Sequence, residues 1–200
     1  MVDYKFGVTR RVELNNELDY VIKTPYAWNE YGDLTFDSEE EEGCFFNEGM
    51  EEDEIDGDGK WYNQREIEVY NLVKDKYDCF AAVDELSTPK ALLMERVECT
   101  VGDYSDDYNN TIRNFTERQF NELDTNAISI NSLMSAVLRY NEASDTKITL
   151  REIKHFLGQL RQLEESDNDK LTDVLSDLHT NNIGFKEGHI KIIDYAGCTF

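Results

Sequence analysis

The sequence predicts an α+β chain, as one domain or two small lobes: a small antiparallel sheet with one helix, then a mostly helical half that closes on a strand. Three observations predict it. Residues 4–25 alternate in strand fashion around a turn at NNELD, residues 63–76 carry a helical apolar stripe, and three segments between 111 and 165 repeat at 3.6 residues. At 40% hydrophobic and 12% aromatic, the 200 residues hold enough apolar material for a core.

In the first half, VTRRVEL alternates, NNELD turns, and DYVIKTP forms a second short run that ends at Pro25 with Lys23 near its close. No Lys or Arg occurs from Tyr26 to Gly59, and residues 37–58 contain twelve Asp or Glu, which reads as an acidic insertion over about 30–60. Its end, EIDGDGKWYNQRE, approximates a calcium loop, but Arg65 stands where the bidentate Glu belongs, so a solvated acidic turn is the reading adopted. The segment NQREIEVYNLVKDK then places Ile67, Val69, Tyr70, Leu72 and Val73 on a helical stripe. Phe80–Val83 and Ala91–Val97 read as strands around the Ser87-Thr88-Pro89 turn. Beyond residue 99, helices are expected near 111–123, 127–142 and 149–165, with a shorter one over 170–178. The last element, IKIIDYAG, is an apolar strand ending at Asp194.

The formal charge is −23, from 43 acidic and 20 basic residues. Such a chain repels phosphate backbones, so direct nucleic-acid binding is not expected. It should attract basic surfaces instead, such as those of nucleic-acid-binding proteins. No apolar run reaches the length of a membrane span, and the N-terminus lacks the apolar region of an export signal, so a cytoplasmic protein is expected. Cys44, Cys79, Cys99 and Cys198 have no CxxC spacing and read as free thiols. The three histidines have no zinc spacing, and His155 falls on an amphipathic helix. Neither GxxxxGK[ST] nor GxGxxG is present.

The remaining chemistry lies in DLHTNN at 177–182 and IIDYAG at 192–197. Phosphoryl transfer needs a carboxylate to orient the nucleophile and oxygen ligands to hold Mg²⁺ against phosphates. Asp177 suits the first task. Asn182 and Asp194, on either side of a hairpin around Lys186-Glu187-Gly188, suit the second. A cation such as Lys23, held by a helix carboxylate, suits the nucleotide phosphates.

These segments resemble the protein-kinase superfamily. VIK at 21–23 is similar to the strand that carries the phosphate-binding lysine, REIEVYNLV at 65–73 to its partner helix, LLMERVE at 92–98 to the strand entering the hinge, and DLHTNN to the catalytic loop. IIDYAG resembles the DFG segment, with Tyr195 in the Phe position. As a whole, the chain looks most like small bacteriophage-encoded kinase-like proteins. The resemblance implies an N-lobe over 1–98 and a truncated helical C-lobe over 99–200, with the catalytic loop at 177–182 and a metal-binding DYAG segment at 194–197. It implies ATP and Mg²⁺ as cofactors and a protein Ser/Thr kinase acting on basic host proteins, such as defence proteins, during infection. Asp177 and Lys23 would be catalytic, and Asn182 and Asp194 would hold the metal. Lys23 would pair with Glu66, with Glu68 as the competing partner; Gly7 remains from the glycine-rich loop, and Glu95 and Val97 lie at the adenine edge. The family's His-Arg before the catalytic Asp is replaced by Leu175-Ser176, and the sequence ends three residues after Gly197, so a peptide-substrate platform is not expected. The alternative is an inactive kinase-like acidic protein that occupies a basic host surface, as an inhibitor or nucleic-acid mimic.

Overall fold

The computed structural model describes residues 2–6, 9–15, 17–28, 34–36, 59–99 and 125–196. The fold is α+β, and the chain divides into two compact units, residues 1–72 with 82–96 and residues 73–81 with 97–200. The division near the middle falls at 96/97, two residues before the expected lobe boundary, and residues 73–81 group with the second unit.

In the first unit, strands β1 (Val2–Phe6), β2 (Arg10–Asn15), β3 (Tyr20–Trp28), β4 (Leu34–Phe36) and β5 (Leu92–Glu95) form one antiparallel sheet. β3 is its hub and pairs with β2, β4 and β5. In this register Arg10 lies opposite Pro25, and Val12 opposite Lys23. Residues directly opposite, and residues two apart on one strand, share a face. Arg10, Val12, Lys23 and Leu92 therefore all project to the same side. Helix α1 (Gly59–Val73) meets that side through Asn63 and Glu66, both buried and bonded to Arg10 and Lys23. Its first residue must be small: a Cβ on Gly59 would sit 2.4 Å from the Thr9 carbonyl oxygen and 2.6 Å from Pro25 Cβ.

Three sequence expectations change here. The helix starts at Gly59, four residues before the expected Asn63, so the second half of the EIDGDGKWYNQRE segment is helical. The expected stripe is also rotated, because Leu72 is half exposed while polar Asn63 and Glu66 face inward. Hydrophobic periodicity misses both, since the inward face is partly polar and satisfied by side chains from the sheet. Phe80–Val83 is not a strand either: Phe80 makes a single bridge to Ile192, and Val83 one to Met94.

The second unit contains α2 (Ile130–Ala143), α3 (Leu150–Glu164), α4 (Asp169–Ser176), a 3₁₀ turn (Thr180–Asn182) and the hairpin β6 (Ile183–Lys186) and β7 (His189–Ile192). Thr149 caps α3 by accepting from the Glu152 amide, and Asn168 caps α4 by accepting from the Lys170 amide. The hairpin turns at Glu187 (φ 50°) and Gly188 (φ 86°), the left-handed pair that a two-residue connection favours. The core joins Leu133 and Val137 of α2 to Phe156, Leu157 and Leu160 of α3 and to the inner residues of the hairpin. Tyr140 stacks on Phe185 at 4.5 Å. Tyr195 is fully buried, donates to the Ala81 carbonyl at 2.8 Å and sits edge-on to Phe80. An aromatic with its hydroxyl satisfied thus anchors the residue after Asp194. The expected helix at 111–123 lies outside the described residues, as does most of the acidic insertion. Among the described residues, no helix is long and apolar enough to cross a membrane.

Candidate functional site

The first cluster is built on Glu66, which is wholly buried. Lys23 Nζ donates to both of its carboxylate oxygens, at 3.0 and 3.1 Å. Arg10 does the same through its two terminal nitrogens, at 2.9 and 3.2 Å. Asn63, one turn earlier on α1, accepts from Arg10 at 3.1 Å and donates to the carbonyls of Lys23 and Pro89. A buried carboxylate is tolerable only when paired and fully hydrogen-bonded, and two cations achieve that here, with the Asn63 amide in turn holding Arg10. The open choice between Glu66 and Glu68 is thereby decided: Glu68 accepts from Gln64 on the outer side of the helix.

Arg10 and Asn63 are the residues that sequence reasoning missed. A signal for Arg10 existed, because in VTRRVEL it shares strand parity with Val8, Val12 and Leu14 and so occupies an inward position. Asn63 has the same kind of signal, lying three residues before Glu66 and so on its helical face.

The second cluster gathers Asp177, Asn182 and the approach to Asp194. Asp177 ends α4, and Asn182 closes the 3₁₀ turn that follows. The Asn182 amide nitrogen donates to the Asp177 carbonyl at 3.1 Å, while the Asn182 carbonyl accepts from the Ile193 amide at 2.9 Å. One buried asparagine thus holds the loop and the segment leading into Asp194 together. Its side-chain oxygen accepts no hydrogen bond among the described residues, and the Asp177 carboxylate likewise makes none. Both are hard oxygen donors of the kind Mg²⁺ takes.

At the expected hinge, Glu95 is committed to Ala82: its amide donates to the Ala82 carbonyl at 2.7 Å, and its carboxylate accepts from the Ala82 amide at 3.1 Å. Arg96 donates its amide to Asp19, and Glu98 exchanges two bonds with Phe185. Val97 differs, with neither its N–H nor its C=O hydrogen-bonded among the described residues. Its side chain packs over Gly184, where a Cβ would lie 2.1 Å from Val97 Cγ2. Gly7 lies outside the described residues. Cys79 is a free thiol, and burial pushes it well above its ordinary value.

Comparison of the chain with protein-family models, with curated proteins and with solved structures gives no match.

Proposed function

We propose that the protein is a Mg·ATP-dependent phosphotransferase with protein-kinase-like chemistry. The observation that carries this reading is the selective commitment of groups in DLHTNN. Asn182 spends its amide nitrogen on the loop, while its side-chain oxygen and the Asp177 carboxylate remain uncommitted among the described residues. The Lys23–Glu66 pair supports it with an ammonium fixed in direction by a buried carboxylate.

In this reading Lys23 neutralises the α- and β-phosphates, and Val97 offers its N–H and C=O to the adenine edge. Asn182 and Asp194 hold Mg²⁺, which when bound offsets phosphate charge. The Asp177 carboxylate orients an acceptor hydroxyl and takes its proton as the oxygen bonds to the γ-phosphorus; the bond to the leaving ADP oxygen breaks. The acceptor is a Ser or Thr of a basic host protein, attracted by the −23 charge. That same charge favours a second reading, an inactive acidic protein that occupies a basic surface.

Thermal unfolding with and without Mg·ATP separates the two. Nucleotide at about 100 times its dissociation constant adds about 2.7 kcal/mol, or several degrees for a chain of this size. The expected result is a metal-dependent rise in the native protein that is lost in Asp194→Ala. In Asp177→Asn the rise should persist while phosphoryl transfer disappears. No rise at millimolar nucleotide would overturn the phosphotransferase reading.

A further inference from the structure

The second unit contains an open cavity of about 490 Å³ between the turn that follows α1 and the outer face of α3. Its charge runs against that of the chain. Lys74, Lys76 and Lys154 line it against Asp75 and Asp78, whereas acidic residues outnumber basic ones 43 to 20 overall. We propose that this cavity binds a small polyanion carrying two or more phosphate groups.

The walls are rigid. Gln159, buried on α3, accepts from the amides of Asp78 and Cys79 at 3.0 and 3.2 Å and donates to the Asp78 carboxylate. Lys191 of β7 donates to the Asp78 carbonyl at 2.7 Å, and both Lys76 and Tyr77 amides bond back to Val73. The turn that carries two of the lysines is therefore fixed before any ligand arrives, which lowers the ordering cost of binding. One of the two acids is already engaged, since the Asp78 carboxylate lies 3.0 Å from His155 Nε2. Lys154 forms no ion pair among the described residues.

The chemistry of the lining selects the ligand. Among the described residues no arginine lines the cavity, so no planar fork is offered there to a carboxylate; lysine ammoniums act as point charges and suit tetrahedral phosphate oxygens. The volume is that of a small-molecule site. An acidic macromolecule would meet the field of the whole −23 chain, but a small anion senses mainly charges within about one Debye length, roughly 10 Å. The space beside Gly158 on α3 is open, because a Cβ there would meet nothing within 4 Å.

The test is calorimetric titration of the full chain with sodium pyrophosphate in EDTA at about 0.1 M salt, where the Debye length is about 10 Å, with amide shifts of Gly158 and Gln159 followed by NMR. Saturable binding is expected, with those amides moving. Lys154→Glu should weaken it on the order of ten-fold, since charge reversal at contact distance against a multivalent anion exceeds 1.4 kcal/mol. Gly158→Leu should weaken it comparably by filling the cavity, and it replaces a helix glycine by a better helix former, so the fold is retained. Non-saturable binding overturns the proposal. So does a loss confined to Lys154→Glu, which would mark a diffuse charge effect. The site does not rest on the phosphotransferase reading: a Mg·ATP effect abolished by Asp194→Ala and kept in Lys154→Glu belongs to the other cluster.

Discussion

Glu66 is a carboxylate held by two cations and Asp78 one held by a histidine and an amide side chain, and they sit in opposite surroundings. Glu66 is wholly buried, with Arg10 and Lys23 nearly so. Asp78 and His155 have side chains 64% and 51% exposed. In water, an ion pair returns little, because solvent screens it and two side chains must be ordered. Out of water, the same pair costs several kcal/mol to desolvate, and removing one partner leaves the other stranded. The Glu66 cluster is therefore a place where the first unit is intolerant of change. The Asp78 cluster shapes a surface at little energetic stake.

The sharpest way to break this comparison is Glu66→Gln. Arg10 and Lys23 would then face an uncharged amide in a buried site, and the expected cost is about 3–5 kcal/mol. In thermal unfolding that is a fall of roughly 10 °C. A change near zero would mean that water reaches the cluster and that burial is not what separates Glu66 from Asp78.

Asn63→Ala comes next. The Lys23 and Pro89 carbonyls each lose a donor, and Arg10 loses one acceptor. Unsatisfied buried groups cost about 1–3 kcal/mol, so chemical denaturation should give a loss in that range with an unchanged slope. Asp194→Ala, on a half-buried residue beyond β7, should cost less stability than either, while removing the metal-dependent rise with nucleotide.

What was legible in the sequence follows the same division. The alternation around NNELD located β2 and β3, and the D-x-x-x-x-N spacing located a loop whose Asn182 does bond back to Asp177. The hairpin between Asn182 and Asp194 was readable from its turn residues at 187 and 188. Of the polar side of α1, Glu66 was legible through the expected pair with Lys23, but Asn63 was not singled out, because apolar periodicity scores it as outward. Only the three-dimensional register, which places Arg10 diagonally across from Lys23, reveals why they turn in. The Asp78 cluster was illegible for another reason. Its partners, Gln159 and Lys191, are 81 and 113 residues away, and no local pattern links them.

Asp78→Asn carries the smallest expected effect. The carboxylate is held below its ordinary value of 3.8: burial alone would raise it, but hydrogen bonds from Gln159 and His155 and the charges of His155 and Lys191 outweigh that. A depressed carboxylate stabilises the fold above its unfolded-state value, and this contribution is lost as pH falls through the lower folded-state value. The native protein should thus lose a small increment of stability below about pH 4 that Asp78→Asn lacks. At neutral pH the two should differ by less than about 1 kcal/mol. In 1 M salt, where the Debye length is about 3 Å, the difference should shrink further, whereas the Glu66→Gln deficit should persist because buried pairs are screened much less. A salt-independent loss in Asp78→Asn as large as that in Glu66→Gln would show that the loop after α1 is held by charge rather than by the Gln159 and Lys191 bonds to its backbone.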